Sequence, residues 1–393
     1  MNVKFYQRRI TIIAYIALSL VIMHTYALFD GKISSAFIAA AILKDPIIEM
    51  NNSYPACKNL PISPDTGKCP RAHQGLFNEL VDCLEQDESG DQIKIACPSV
   101  AYGFDQETGK KLNTFWTYKK HILPVKELTA DMEKTVPHPE YGQEPTIVIL
   151  YPWQEFSVGT RFVHLPEHDT SNSYAVARAD YATGQTGVDF VAHEHAMAEI
   201  KQDSQSTRTL FLKIVNDLID RVSSSGPEHV IPYVWGGSSY LQPYKQPDFY
   251  AKDGTWHRSG NNAPYTGYDC SEFTMRMAQI AGIPFQGKTC AAIRKIQREL
   301  QEHDQLEEGD LIWVPGHIMI ITAIERNELI EARGYGDGYG CIHRITLDKC
   351  FDGIQTYADL LEHHRNNTHV KFKNKQGIAS DRTREVKLLK LMD

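Results

Sequence analysis

The sequence predicts an α+β protein in which small β-rich domains precede a C-terminal domain of mixed helices and strands. Between residues 74 and 200, short apolar runs broken by Gly, Asp and Asn recur at regular spacing. Such spacing is typical of small antiparallel barrels. Beyond residue 205, apolar residues recur at helical spacing and then in strand-like runs. An apolar stretch near the N-terminus adds a hydrophobic helix to this architecture.

The composition agrees with a globular chain of several domains and argues against a nucleic-acid partner. The 393 residues suffice for two or three domains. Hydrophobic residues make up 42% and charged residues 23%, so the chain can bury a core. The formal net charge is -8, whereas phosphate binding requires a basic surface. We therefore expect no nucleic-acid binding.

Residues 1–30 have the pattern of a signal peptide or a membrane anchor. Lys4, Arg8 and Arg9 precede an apolar stretch from Ile10 to Phe29, which is the order of a signal's basic and apolar regions. Its length lies between that of a secretory signal and that of a spanning helix. We expect an exported protein of the periplasm or cell envelope. If the helix is retained, it provides a contact with the inner membrane.

Composition and periodicity divide the rest of the chain. Residues 31–71 are rich in Pro, Asn, Asp and Ser, which favours a linker. Residues 72–128 and 140–202 are predicted as two β-rich domains. Residues 205–365 form the mixed domain, which opens with a helix over 208–222 capped by Ser206 or Thr207. Residues 366–393 are polar and basic and are predicted to be a mobile tail. Strands are predicted at 80–84, 93–96 and 115–118, and then at 146–151, 159–164, 174–178 and 188–191.

The cysteines do not indicate a metal site. No spacing gives the CxxC pair of a zinc site, and His193–Met197 lacks the second histidine of a zincin helix. We therefore expect neither a metal nor a cofactor. Export would permit disulfides, and Cys57/Cys69 and Cys83/Cys97 are candidate local pairs, with connectivity left open. The eight cysteines are Cys57, Cys69, Cys83, Cys97, Cys270, Cys290, Cys341 and Cys350.

Cys270 is the candidate nucleophile. It precedes an apolar run at helical spacing that ends at Gly282, so it is predicted to lie in the first turn of a helix. The positive end of a helix favours the thiolate, which is the reactive form of cysteine. A buried and inert structural cysteine is the alternative for this residue taken alone.

His317 is the candidate base, and Glu331 is the candidate third residue. His317 opens a strand after the turn Pro315-Gly316, downstream of the cysteine, as in thiol hydrolases. A carboxylate at Glu331 would hold the imidazole tautomer. The natural hairpin tip at 325–328 puts Glu331 on the wrong face, so this assignment requires a β-bulge. Otherwise Glu331 is an exposed carboxylate paired with Arg333 or Arg344.

Three motifs resemble the NlpC-type cell-wall cysteine peptidases over roughly residues 210–361. They are Pro232–Gly237, Asp269–Ser271, and Gly309–Ile320, and they occur in the family's order. The resemblance implies a papain-like catalytic domain with Cys270 as nucleophile, His317 as base and Glu331 in the third position. The lead domains are similar in pattern to bacterial SH3-like domains.

The resemblance also implies a substrate and the residues that bind it. Such enzymes hydrolyse peptidoglycan stem peptides at the γ-D-glutamyl to diaminopimelate bond, and Tyr233 would line the site. In relatives with SH3-like lead domains the Asp and Ser beside the nucleophile contact a free amino terminus, which assigns Asp269 and Ser271. Two positions depart from the family: Glu272 replaces the usual Gly, and Glu331 the usual His. We expect the Glu272 carboxylate to repel an anionic stem peptide.

The sequence is also compatible with two other functions. The same Cys–His pair serves amidases and acyltransferases on other amides, since fold and pair do not define the substrate. A non-catalytic wall-binding protein is a further alternative, although it has no need of Cys270 or His317. The leading expectation is an exported cysteine peptidase whose partners are peptidoglycan stem peptides or muropeptides.

Overall fold

The computed structural model describes residues 39–51, 71–245 and 265–392. The predicted N-terminal helix at 1–30 lies outside these residues, as do Cys57 and Cys69. Within the three described ranges, no helix combines the length and the apolar character that a membrane crossing needs.

The first described region is an antiparallel sheet of seven strands in the order β3-β2-β8-β5-β4-β1-β9. The strands predicted at 80–84, 93–96 and 115–118 are confirmed as β4, β5 and β8. A separate two-stranded ribbon, β6 with β7, extends from this region. The strands are β1 (Ala39–Leu43), β2 (Ile47–Asn51), β3 (Arg71–Leu76), β4 (Leu80–Gln86), β5 (Gln92–Ala96), β6 (Gly103–Phe104), β7 (Lys111–Leu112), β8 (Thr114–Tyr118) and β9 (Ile122–Pro124).

Strands β1 and β2 correct the expectation of a linker over 31–71. Residues 39–51 belong to the seven-stranded sheet, where β1 pairs with β4 and β9, and β2 pairs with β3 and β8. Ile48 and Met50 point into the core at the two-residue period of a strand. The flanking Pro, Asn and Asp residues concealed this short pattern.

The second region is a five-stranded antiparallel sheet in the order β13-β12-β11-β10-β14. The four strands predicted between residues 146 and 191 are confirmed as β10 to β13. The identification of the two lead regions as SH3-like domains stays a prediction. The elements are α1 (Ala130–Glu133), β10 (Thr146–Ile149), β11 (Arg161–His164), β12 (Ser173–Asp180), β13 (Gln185–Ala192) and β14 (Ala196–Ala198).

The C-terminal region has a central sheet in the order β22-β21-β20-β19-β26, with helices on both faces. Its first helix begins earlier than predicted, because Asp203 rather than Ser206 or Thr207 is the N-cap. The elements are α2 (Ser204–Ser224), β15 (His229–Val230), β16 (Ser238–Ser239), β17 (Tyr244–Lys245), β18 (Gly267–Tyr268), α3 (Cys270–Ile280), α4 (Cys290–Ile296), β19 (Leu311–Val314), β20 (His317–Ala323), β21 (Glu328–Arg333), β22 (Cys341–Thr346), α5 (Leu347–Cys350), β23 (Phe351–Asp352), α6 (Tyr357–Arg365), β24 (His369–Lys373), β25 (Ala379–Glu385) and β26 (Lys387–Leu389).

Strand β20 is buried along its whole length because it lies between two cores. Ile318 and Ile320 pack in the core that also contains α2, α3 and residues of the first sheet. Met319 and Ile321 pack in the second core, with α6 and β24. Successive side chains of a strand point to opposite faces, so a continuous apolar run fits this position.

The C-terminal segment is folded, and the prediction of a mobile tail over 366–393 is wrong for the described residues. Strands β24 and β25 pair with each other, and β26 pairs with β19 at the edge of the central sheet. Leu388, Leu389 and Leu391 are buried, and Lys390 Nζ lies 2.8 Å from the buried carboxylate of Asp310. The many charges of this segment hid a short apolar strand.

Substitution Leu389→Ala tests this docking. Removal of a fully buried leucine should lower the free energy of unfolding by about 2–5 kcal/mol, because it leaves a cavity beneath the edge strand. Denaturant unfolding measures the change. Ile378→Ala is the matched control, since Ile378 lies in the same segment but is 65% exposed. Equal stability of the two variants would contradict a docked strand.

Candidate active site

Cys270 is the first residue of helix α3. The preceding Asp269 has extended backbone geometry, and its side chain accepts a hydrogen bond of 2.8 Å from the backbone N–H of Glu272. This is the N-cap arrangement that starts a helix. The Cys270 side chain therefore lies at the positive end of α3, where it is 6% exposed.

His317 is positioned by a tight turn between β19 and β20. Val314 pairs with His317, so the turn consists of Pro315 and Gly316. Gly316 has a φ of 82°, and a proline followed by a glycine with positive φ is typical of a type II turn. The sequence thus places His317 at the start of a buried strand.

Glu331 lies on the same face as His317 because the hairpin contains an irregularity. Near the tip, Ala323 pairs with Glu328. The register then shifts between Ala323 and Ile321, and Ile320 pairs with Ile330. Continued along the strands, this register makes Glu331 a diagonal neighbour of His317. Glu331 Oε2 is 2.6 Å from His317 Nε2. The hairpin therefore contains the bulge that Glu331 needs in order to lie on the same face as His317.

His317 and Cys270 lie close enough for each to shift the pKa of the other. Because Nε2 faces Glu331, Nδ1 is the ring nitrogen left for the sulfur. Burial disfavours the imidazolium, but Cys270 and Glu331 outweigh burial and raise the pKa of His317 to about 9. The neighbouring Cys290 thiol and burial raise the pKa of Cys270 well above its usual value, and His317 opposes them. Cys290 and burial therefore keep Cys270 a thiol until His317 takes its proton, and the resulting thiolate and Glu331 stabilise the imidazolium that this transfer forms.

Glu331 is a fully buried carboxylate among cationic and imidazole groups. His343 Nε2 is 3.2 Å and Arg333 Nη1 is 3.4 Å from its second oxygen. Burial alone would raise its pKa, but His317 and His343 outweigh that effect and hold the pKa well below the usual range. Tyr339 stacks on His343 with ring centroids 4.1 Å apart. Glu331 thus stays ionised and fixes the orientation of His317.

Tyr233 lies beside the nucleophile on a loop that two backbone hydrogen bonds hold. Its N–H donates to the Gly340 carbonyl at 2.9 Å, and the next N–H donates to the Tyr268 carbonyl at 3.1 Å. Burial, followed by the proximity of Cys270 and Asp269, raises the pKa of Tyr233 well above its usual value. Its hydroxyl is therefore a neutral hydrogen-bond donor close to the sulfur.

The structure uses Asp269 and Ser271 internally. Asp269 Oδ1 accepts from the Glu272 N–H at 2.8 Å and from the Ser271 hydroxyl at 2.9 Å. Its Oδ2 accepts from the Gly236 N–H at 3.0 Å and lies 3.3 Å from Lys288 Nζ. A carboxylate has about four acceptor positions. A substrate ammonium group at Asp269 would therefore have to replace Lys288.

Gly236 can make that contact because it is a glycine. Its φ is 67°, and a Cβ at this position would lie 2.5 Å from the backbone oxygen of Arg71. The loop that resembles the family's tyrosine loop thus packs directly on the first sheet. A side chain at residue 236 would push the loop away from Asp269.

Glu272 does not face the cleft, so the expected repulsion of an anionic substrate is wrong. Its carboxylate is 0% exposed. Oε1 lies 2.6 Å from Nδ1 of His73 on β3 and 2.9 Å from Lys288 Nζ. Burial opposes the charge of Lys288, but Asp269 and Glu272 outweigh burial and raise its pKa. Glu272 therefore joins helix α3 to the first sheet.

Four residues of the site were missing from the sequence prediction. His73 and Lys288 hold Glu272, His343 lies beside Glu331, and Cys290 Sγ lies 3.6 Å from Cys270 Sγ. Of these, Cys290 had a local signal, because Thr289 is a helix-capping residue directly before it. The other three come together through long-range packing. Across the described parts of the chain, no cluster of three acidic, histidine or cysteine side chains is arranged to hold a metal ion.

Comparison with known proteins identifies the fold. No protein-family model matches the sequence, and no curated protein matches it. The structure is similar to that of an NlpC/P60 family protein from Bacillus cereus ATCC 10987, with a TM-score of 0.51 and 14% identity over 79% of this chain and 95% of that chain. The chain therefore has an NlpC/P60-like fold, as the motifs predicted.

Two further solved structures are less similar. An NlpC/P60 endopeptidase from Photobacterium damselae subsp. piscicida has a TM-score of 0.43 and 10% identity, over 92% of this chain and 75% of that chain. The peptidoglycan hydrolase RipB from Mycobacterium tuberculosis has a TM-score of 0.23 and 22% identity, over 38% of this chain and 67% of that chain.

Substitution Glu331→Gln should lower the pKa of His317 from about 9, because it removes a buried negative charge that stabilises the imidazolium. The imidazole of the variant should therefore lose its proton at a lower pH. NMR titration of the protein with labelled histidine measures this, and His317→Gln identifies the resonance. Glu328→Gln, on the same strand, is the control. An unchanged His317 titration in Glu331→Gln would refute the contact.

Substitution Lys288→Met should destabilise the protein by about 3–5 kcal/mol, because it leaves Asp269 and Glu272 buried without their cation. The free energy of unfolding in denaturant measures the loss. Lys349→Met removes an exposed lysine and serves as the control. A Lys288 variant as stable as this control would show that the ion pairs of Lys288 do not hold helix α3 to the first sheet.

Proposed function

We propose that the chain is a cysteine peptidase that hydrolyses peptidoglycan stem peptides at the γ-D-glutamyl to diaminopimelate bond. The observation that carries the proposal is the arrangement of Cys270, His317 and Glu331. The sulfur lies at the start of a helix and interacts electrostatically with the imidazole, whose Nε2 is 2.6 Å from a buried carboxylate. These are the nucleophile, base and orienting group of a thiol hydrolase.

The first half of the reaction forms a thioester. His317 takes the proton of the Cys270 thiol, and the sulfur attacks the carbonyl carbon of the γ-D-glutamyl amide. The carbon–nitrogen bond then breaks, and the imidazolium returns its proton to the leaving amine of diaminopimelate. The ionised Glu331 stabilises the imidazolium between these two steps.

The second half restores the thiol. His317 takes a proton from a water molecule, which attacks the thioester carbonyl, and the carbon–sulfur bond breaks. The γ-carboxylate of D-glutamate is released, and the proton returns to the sulfur. The balance of the two halves is the addition of one water molecule to one amide bond.

The loop of Tyr233 supports a peptide substrate. Tyr233 presents a neutral hydroxyl beside Cys270, and Trp235 on the same loop is 62% exposed. Tyr265, whose ring lies 5.8 Å from the Arg71 guanidinium, is also exposed. Aromatic groups of this kind bind extended chains through large contact areas at a low entropic cost.

Export belongs to the same proposal. The basic residues Lys4, Arg8 and Arg9 before an apolar stretch motivate it, and the proposed substrate lies outside the cytoplasmic membrane. Fractionation of cells that express the full chain measures the location. Recovery only in the cytoplasmic fraction would contradict export and leave the peptidase chemistry untouched.

Activity on purified muropeptides tests the enzymatic proposal. We expect the wild-type chain to yield two products whose masses together equal the substrate plus water, cut after D-glutamate. Cys270→Ala should reduce kcat/KM by about 10³-fold or more, and Glu331→Gln should cost less, about 10- to 100-fold. Loss of the nucleophile removes the chemistry, whereas loss of the orienting group weakens it.

Two controls and the product masses make the assay specific. Cys350→Ala removes a buried thiol of the second core, and Glu328→Gln neutralises another carboxylate of β21. Both should retain activity close to that of the wild type. Cleavage between the glycan and the first alanine would indicate an amidase instead. Binding without any product would favour a wall-binding protein.

A further inference from the structure

Two thiols meet at the nucleophile. Cys290 Sγ lies 3.6 Å from Cys270 Sγ, which is the contact distance of two sulfur atoms. Both side chains are buried, at 6% and 9% exposure. A disulfide bond has a length of about 2.05 Å, so the two atoms need to approach by about 1.5 Å. Rotation of two short side chains is the simplest way to achieve this.

The contact is held by the surrounding structure. Cys290 is the first residue of α4, and Lys288, two residues earlier, pairs with Asp269 and Glu272 at the start of α3. On the other side, Trp313 Nε1 donates a hydrogen bond of 2.8 Å to the carbonyl of Cys290. The first turns of the two helices are thus fixed against each other. These contacts bring the two sulfur atoms together.

The proposed hydrolysis makes no use of Cys290. Base, orienting group and nucleophile are complete in His317, Glu331 and Cys270. Cys290 nevertheless raises the pKa of Cys270, together with burial, and so favours the less reactive thiol. A thiol that opposes the nucleophile in hydrolysis requires another explanation.

We propose that Cys290 is a resolving thiol that forms a reversible disulfide with Cys270, so that oxidation inactivates the site and protects its nucleophile. The inactivation rests on the proposed function, because it requires Cys270 to be the nucleophile. The disulfide itself depends only on the geometry of the two sulfur atoms.

A peroxide is the oxidant for this step. The Cys270 thiolate attacks one oxygen of hydrogen peroxide, the O–O bond breaks, hydroxide leaves, and Cys270 becomes a sulfenic acid. The Cys290 thiolate then attacks the Cys270 sulfur, the S–O bond breaks and a second hydroxide leaves. With the two thiol protons, the hydroxides become two water molecules. A dithiol reductant returns both cysteines to thiols.

The absence of Cys290 should change the fate of the oxidised nucleophile. A sulfenic acid with no neighbouring thiol is oxidised further to a sulfinic acid, which reductants do not reverse. Cys290→Ser should therefore convert a reversible loss of activity into a permanent one. The serine hydroxyl keeps nearly the size of the thiol, so the packing between α3 and α4 is retained.

The experiment treats the full chain with hydrogen peroxide and maps its peptides by mass spectrometry without reduction. In the wild type we expect a Cys270 peptide linked to a Cys290 peptide, loss of muropeptide hydrolysis, and recovery of both on addition of dithiothreitol. In Cys290→Ser we expect a Cys270 sulfinic acid and recovery about tenfold lower than in the wild type. Cys83 and Cys97 are free buried thiols rather than the disulfide pair that their spacing allowed, and Cys83→Ala should behave as the wild type does.

Either of two results would overturn the proposal: an oxidised wild type without the linked peptide, or full recovery of Cys290→Ser by dithiothreitol. Circular dichroism checks the fold of the variant, and the wild-type peptide map decides the question even if the variant does not fold. If the linked peptide forms in a chain that hydrolyses no muropeptide, the disulfide stands and the proposed function fails.

Discussion

The ammonium group of Lys288 lies between two carboxylates, Asp269 and Glu272, that are buried at the start of helix α3. Asp269 caps that helix and accepts from the Gly236 loop, while Glu272 reaches His73 in the first sheet. Buried charges are costly unless they are paired and hydrogen-bonded. The helix start, the loop and the sheet therefore hold each other in place. The position of Cys270 depends on this arrangement.

The same arrangement explains how the lead region becomes part of the site. Residues of the first sheet pack in one continuous core with α2 and α3, and Gly236 contacts the backbone of Arg71. Glu272, which stands where the family usually has glycine, supplies the polar link across that core. A glycine could not bind His73 or Lys288. The residue at which this chain differs from the family therefore makes a contact with the first sheet.

A second buried carboxylate plays the corresponding role for His317. Glu331 is surrounded by His317, His343 and Arg333, and these partners keep it ionised in an apolar setting. An ionised acceptor at Nε2 leaves the other ring nitrogen for the sulfur. Glu272 thus fixes the helix that bears Cys270, and Glu331 fixes the imidazole of His317, the proposed base.

The sequence by itself determined the local elements of the candidate site. The helix that begins at Cys270 follows from an N-cap and apolar spacing, and the strand that begins at His317 follows from a Pro-Gly turn, since both signals lie within a few residues. Only the tertiary structure decided the contacts of Cys290, Lys288 and His73, because they join segments far apart in sequence. It also decided on which face of the sheet Glu331 lies. That face depends on one bulge, because a shift of one residue in register reverses the face of every side chain in a strand.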